Sequence, residues 1–257
     1  MSGGKVILIS GGTGATGAAL CRRFVELNHT VIGTTRQELT HNELNEKVGV
    51  TGDDERLHWI RIDLTEDKAV ASLMENLEKE KLRPEIFIHC ARDARYLQVD
   101  DKSQSPREGW QGTLLLDVIV PYEITLALAV MENSRLENVV LMASMYGVTP
   151  PHPEMYEGLK QIVPPVHYGV SKAAVIHLGK ELAVRLARGG IRVNTVSFGG
   201  VAGRADDKFK EKYGQFCPAG RMLEKDEVAA AIQFLAMPES SGMTGHNLVV
   251  DGGWSVW

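Results

Sequence analysis

This sequence is poor in cysteine, carries no excess of positive charge and has no long unbroken apolar run. Lys and Arg number 28 against 33 Asp and Glu, a net charge of −5 with a pI near 5.9. That balance gives no general pull toward nucleic acid or an anionic membrane surface. The three cysteines, Cys21, Cys90 and Cys217, are far apart, odd in number and in no metal-ligand spacing. They point to a reducing compartment, with no disulfide framework and no metal site. No apolar run approaches the roughly 18 residues that span a bilayer. Met1-Ser2-Gly3-Gly4-Lys5 leads straight into a short strand and does not read as a signal peptide, so a cytoplasmic location is expected.

What is present is an ordinary globular composition, 44% apolar and 24% charged over 257 residues, enough to bury a substantial core. Val6-Ile7-Leu8-Ile9 suits a buried parallel strand. It runs into Ser10-Gly11-Gly12-Thr13-Gly14-Ala15-Thr16-Gly17, and an amphipathic helix follows with Leu20, Phe24, Val25 and Leu27 on its apolar side. In that setting a glycine turn means phosphate binding. Glycine lets the backbone approach a pyrophosphate, and a helix N-terminus offers free N–H groups and a positive dipole end. A second strand, Thr30 to Thr35, ends in Arg36 with no acid beside it. An acid there would bind the ribose 2′-hydroxyl of NAD, whereas arginine suits the 2′-phosphate of NADP.

Strand and helix signals then alternate to the end of the chain. Residues 37–56 read as a polar surface excursion, and Leu57–Ile62 as a strand with Asp63-Leu64 at its end. Asp63 suits an adenine amino group or the cap of a following helix. Glu85–Arg92 reads as a fourth strand, with Arg92 and Arg95 just beyond it. A long helix is expected from about Glu108 to Met131, its apolar stretch interrupted by Asp117, a carboxylate that needs a partner or a site. A fifth strand delivers Ser144, and Met145–His167 reads as an ordered loop over the site. A sixth strand leads to Ser197-Phe198-Gly199-Gly200-Val201 and a polar, mobile segment through Phe216. The alternation predicts a doubly wound parallel sheet of about seven strands, one domain over residues 1–257.

Tyr168-Gly169-Val170-Ser171-Lys172 opens a run with helical spacing, and residues four apart share a helix face. A lysine cation beside a phenol favours the phenolate and makes it a usable general acid or base at neutral pH.

Ser10–Gly17, Asp63, Ser144, Tyr168 with Lys172, Asn194 and the ending Leu248-Val249-Val250-Asp251-Gly252-Gly253, in that order, resemble the short-chain dehydrogenase/reductase family over essentially the whole chain. The resemblance implies a Rossmann-type fold and hydride exchange between a nicotinamide and a carbonyl or secondary alcohol. It implies Tyr168 as general acid/base, Lys172 as its modulator and ribose ligand, Ser144 as the group that bonds the substrate oxygen, and Asp117 at the position of the family's relay asparagine. Cofactor contacts are implied at Ser10, Gly11, Thr13, Gly14, Ala15, Thr16, Gly17, Arg36, Asp63, Leu64, Ala91, Tyr168, Lys172, Gly199 and Val201, with NADP favoured over NAD. The chain departs from the family at His89-Cys90-Ala91-Arg92, where Asn-Asn-Ala-Gly is usual, at Asp117, at Phe198 and at Gly203. Ser144 also stands 24 positions before Tyr168, a wide gap filled by the Met145–His167 loop.

Met145-Tyr146-Gly147-Val148, Tyr156-Glu157-Gly158 and Gly242-Met243-Thr244-Gly245-His246-Asn247 are similar to a branch of bacterial dehydrogenases, the flagellin modification A branch. That likeness implies a sugar or sugar phosphate in the making of legionaminic-type nonulosonic acids for surface glycosylation. Cations at Arg92, Arg95, His152, Lys160, His167, Arg204, Lys208 and Lys210 suit an anionic polar substrate, with Arg92, Arg95 and Tyr156 the foremost candidates. A general reductase of small ketones and a weakly catalytic NADP-binding regulator are the other readings. A homodimer or homotetramer is the family habit.

Overall fold

Short apolar segments pair edge to edge, and the helices between them return the chain so that every pairing is parallel. The computed structural model describes residues 4–52, 54–100, 104–159, 163–203 and 205–256. Among them the strands are β1 (Val6–Ser10), β2 (Thr30–Thr35), β3 (Leu57–Arg61), β4 (Ile86–His89), β5 (Asn138–Ser144), β6 (Arg192–Phe198) and β7 (Asn247–Val250). They form one sheet in the order β3-β2-β1-β4-β5-β6-β7, the single-domain α/β arrangement that the sequence predicts. The order reverses between β1 and β4, which opens a crevice beyond their carboxyl ends. Ligands of open α/β sheets bind at such a point.

Alternate side chains on each strand feed two cores. Ile7 and Ile9 face one layer, built on α1 (Ala15–Glu26), α2 (His41–Val48) and, from the far end of the chain, α9 (Lys225–Ala236). Leu8 faces the other, built on α3 (Ala69–Lys79), α5 (Val120–Val130) and α7 (Val166–Leu186), with α4 (Arg107–Leu114) packed beside α7. The period of two along a strand is what lets one five-residue segment serve both.

Three stretches differ from the sequence reading. Residues 37–56 hold α2, which starts at a capping box: the Thr40 hydroxyl accepts from the Glu43 amide, and the Glu43 carboxylate accepts from the Thr40 amide. The Thr-x-x-Glu spacing was the available signal.

The helix expected over 108–131 is present but interrupted. Leu115–Ile119 is a π-turn between α4 and α5. Pro121, which has no N–H, follows at the second position of α5 and cannot continue the α ladder. The whole run 107–130 is, by length and composition, long and apolar enough to cross a membrane, although Asp117 and Glu123 break its apolar sequence. Its Leu116, Val120, Ile124 and Leu128 are buried against the sheet, the packing of a core helix.

The polar segment after Gly199 carries regular structure that the sequence reading did not place there. It holds α8 (Asp207–Gln215), capped by the Asp206 carboxylate on the Phe209 amide. This helix, α6 (Pro153–Tyr156) and the C-terminal turn at Trp254 close a third, aromatic core with Met145, Met155, Tyr213 and Met222. The Tyr213 and Trp254 rings stack with centroids 4.6 Å apart.

Candidate active site

The crevice is floored by the glycine turn. Gly11 takes a positive φ of 70°, and a Cβ there would meet the Ala91 backbone at 2.7 Å. At Gly17 a Cβ would lie 2.2 Å from the Gly11 carbonyl oxygen, so helix α1 can approach the turn this closely only with glycine. Gly14 caps α1 with no side-chain bond, and no acid stands in the first turn. The amides of Ala15, Thr16 and Gly17 therefore face outward as an anion cradle, which fits the pyrophosphate of a dinucleotide. Thr13 is tied to the end of β2 by its hydroxyl, 3.0 Å from that of Thr35.

On the adenosine side, Arg36 does not stand free. Its guanidinium donates to Asp93 at 2.5 Å and lies 3.7 Å from Asp63. Arg95 folds back onto the same Asp93, at 2.6 Å. Burial alone would raise the Asp93 carboxyl; hydrogen bonds from Arg95 and Arg36 outweigh it and hold the group at about 2. Sequence reasoning passed over Asp93, although an acid between Arg92 and Arg95 just beyond a strand end was the signal. Asp63 closes a turn on the amide and hydroxyl of Thr65 rather than capping α3, which begins at Ala69. Leu64 is buried in the core, so only its backbone borders the crevice.

The proton-handling side is assembled from β5, the π-turn and α7. Ser144 ends β5, and its oxygen accepts from the Tyr146 amide at 3.2 Å. Two glycines let this turn press on α7: a Cβ on Gly147 would lie 2.6 Å from the Lys172 backbone, and one on Gly169 2.9 Å from the Tyr146 carbonyl oxygen. Tyr168 sits in the first turn of α7, with the Lys172 ammonium 5.8 Å from its ring centre. Lys172 Nζ donates to Asp117 Oδ1 at 3.1 Å and to the Met142 carbonyl at 3.2 Å. An ammonium has three donors, so one is left for the site. Asp117 Oδ2 accepts from the Ser171 hydroxyl at 2.7 Å. Asp117 thus serves Lys172 and Ser171, and acts on the reaction through Lys172. A crevice of about 10 Å³, room for one water, runs between Asp117 and Tyr168.

The cations expected to converge here mostly go elsewhere. Lys208 donates to the Gly158 carbonyl, and Lys210 pairs with Asp207. His152 packs against Phe216 and Trp254. His167 is buried and bonds the Tyr96 carbonyl at 2.6 Å. Lys160 and Arg204 lie outside the described residues. Arg92 remains, its guanidinium 5.9 Å over the Tyr168 ring. Tyr156 faces Tyr146 hydroxyl to hydroxyl at 2.5 Å. Burial, then the neighbouring Tyr156, pushes the Tyr146 phenol up, so the pair offers neutral hydroxyls.

Beyond β6, Gly199 donates to the Val250 carbonyl at 3.0 Å. Val201 bridges to Leu223, and the Gly200 amide donates to the Tyr213 hydroxyl at 2.8 Å.

A family model described as enoyl-(acyl carrier protein) reductase matches residues 14–255. The chain belongs to the short-chain dehydrogenase/reductase family. This dehydrogenase/reductase is 24% identical to the post-translational flagellin modification protein A of Campylobacter coli, with 98% of each chain covered. It is also similar to the solved short chain dehydrogenase from Leptospira borgpetersenii serovar Hardjo-bovis with bound NAD+, at 25% identity and a TM-score of 0.83, covering 98% of this chain and 93% of that one. A Pseudomonas aeruginosa RhlG/NADP complex shares the fold at 21% identity and a TM-score of 0.82, with 99% and 97% covered. The dehydrogenase/reductase is an NAD(P)-dependent oxidoreductase.

Proposed function

We propose that this enzyme reduces, or in reverse oxidises, a sugar or sugar phosphate on a route to legionaminic-type nonulosonic acids, with NADP as its cofactor. The nicotinamide, when bound, supplies or accepts the hydride. In the reducing direction the carbonyl carbon gains that hydride and its oxygen gains the Tyr168 proton. Ser144 donates to the same oxygen, where negative charge grows during transfer. Lys172 uses its remaining donor on the ribose side, and the cradle at Ala15, Thr16 and Gly17 holds the pyrophosphate.

One observation carries the substrate class. Arg92 reaches the Tyr168 ring at 5.9 Å and, among the described residues, has no carboxylate partner. A guanidinium left unpaired at the mouth of the site suits a phosphate or carboxylate on the substrate, which it can bind through two parallel bonds. The likeness to the Campylobacter coli flagellin modification protein supports the sugar reading.

Arg36 at the end of β2 supports NADP, because Asp93 takes one of its nitrogens and the rest can meet a 2′-phosphate. The two carboxylates around Arg36, Asp93 and Asp63, favour NAD as the second reading, since they offset its charge and can accept from ribose hydroxyls. A cytoplasmic enzyme assembled as a homodimer or homotetramer belongs to the same reading. Exposed Val130, Tyr122, Val166 and Val170 on α5 and α7 support that assembly.

The test is turnover of NADPH and NADH against hexose phosphates, keto-sugars of the nonulosonic type and simple ketones. Activity confined to apolar ketones overturns the sugar reading.

A further inference from the structure

His89 is buried beneath the crevice, 3% exposed, and touches neither the proton donor nor the anion cradle directly. Its surroundings define what it does. In the π-turn the Val120 amide donates to the Leu115 carbonyl. Residue 121 is proline and has no N–H to offer. The Leu116 carbonyl thereby loses both helical donors, the α partner by diversion and the π partner by chemistry. A buried carbonyl left so would be costly.

His89 Nε2 lies 2.9 Å from that carbonyl oxygen. A carbonyl only accepts, so Nε2 carries the hydrogen and Nδ1 presents a lone pair. Nδ1 is 2.8 Å from the Ser10 hydroxyl, which must donate to it. The Ser10 oxygen in turn accepts from the amides of Cys90 and Ala91, at 3.1 and 3.3 Å. Every donor and acceptor in this chain has its partner. Burial holds the imidazole neutral, lowering it to about 4, which keeps Nδ1 bare. The two imidazole nitrogens point to opposite sides of the ring, so one side chain spans both ends.

We propose that His89 is a positioning residue that locks the phosphate-binding turn to the π-turn, so that cofactor cradle and proton-handling group move as one body. The mechanism is geometric. The Leu116 carbonyl and the Asp117 amide share one rigid peptide plane. Fixing that carbonyl fixes where Asp117 leaves the helix, and Asp117 holds Lys172 at 3.1 Å. At the other end, Ser10 is the residue before Gly11, where the glycine turn that leads into the anion cradle begins. A cofactor that orders the cradle orders Asp117 through His89. Only the exchange arm of the test below rests on the nicotinamide reading above.

Amide hydrogen exchange, followed by mass spectrometry with and without NADPH and NADH, tests it. In the wild type, the better-binding nucleotide slows exchange in peptides over 10–18 and over 113–124. In His89→Leu the protection at 10–18 remains, while that at 113–124 falls by about fivefold or more, the low end of typical coupling between sites. Ser10→Ala, which cuts the same chain at its other end, likewise lowers the protection at 113–124 and serves if His89→Leu does not fold. Protection at 113–124 that survives in both variants, or is missing from the wild type, overturns the proposal. Protection missing from 10–18 in the wild type instead overturns the cofactor reading. A nitrogen NMR spectrum of histidine-labelled wild type decides the lock without any cofactor. It shows His89 as the Nε2–H tautomer, and a proton on Nδ1 refutes the bridge.

Discussion

The ammonium of Lys172 and the carboxylate of Asp117 form a buried ion pair, 3.1 Å apart with side chains 8% and 4% exposed. Removing one partner from such a pair strands the other charge in the core. Asp117→Ala is expected to cost about 3–5 kcal/mol in urea unfolding. Asp117→Asn keeps an acceptor oxygen and is expected to cost clearly less, about half as much. An alanine variant within ~1 kcal/mol of wild type would show that the pair is solvated in solution.

Arg36→Asp places a carboxylate where NADPH would bring its 2′-phosphate. NADPH affinity is expected to fall by about tenfold or more, and NADH affinity by less than about threefold. Fluorescence titration of both nucleotides reads the ratio. An unchanged ratio would remove Arg36 from the 2′-phosphate site and leave NAD as the better reading.

The neutral state of His89 leaves a signature in acid. Burial lowers it from 6.5 to about 4. Between those values the unfolded chain binds a proton that the folded chain does not. The contribution of His89 is therefore full above about pH 6.5, declines as pH falls, and stops declining below about pH 4. The total is roughly 3 kcal/mol. Urea unfolding across this window, wild type against the non-titrating His89→Gln, should show the steeper slope in the wild type; equal slopes would mean that His89 titrates normally.

Gly17→Ala brings a Cβ to 2.2 Å from the Gly11 carbonyl oxygen, a backbone atom that cannot step aside. The turn and α1 must separate, at about 1–3 kcal/mol, and nucleotide binding is expected to weaken by about tenfold. Gly242→Ala, with nothing within 4 Å, is the control and should bind nucleotide as the wild type does. Binding unaffected in Gly17→Ala would mean that the cradle lies elsewhere.

Much of this was legible in the residues because it depends on local pattern. The strand period of two, the glycine turn between β1 and α1 and the four-residue spacing of Tyr168 and Lys172 are written in short windows. The partners were not. Nothing near Arg36 in sequence announces Asp93, 57 positions away, and nothing near Lys172 announces Asp117, 55 away. The first pairing exists because β2 and β4 flank β1, and the second because α7 packs beside the π-turn. The π-turn was half legible, since Pro121 four residues past Asp117 warns of a broken ladder, but only the packed structure shows His89 meeting the orphaned carbonyl. The loop cations illustrate the opposite error. Their charge suited a substrate, and the fold spends Lys208 on the Gly158 carbonyl, just past α6, and Lys210 on Asp207.

The third aromatic core has a consequence for how this enzyme could change. Cofactor cradle, Ser144, Tyr168 and Lys172 are carried by the sheet and its two aliphatic layers, whereas the wall above them is held by Met155, Tyr213 and Trp254 in a cluster of its own. Floor and roof are separately founded. Selection can rebuild the roof, and with it the guest list of the site, while the hydride and proton chemistry beneath is inherited intact.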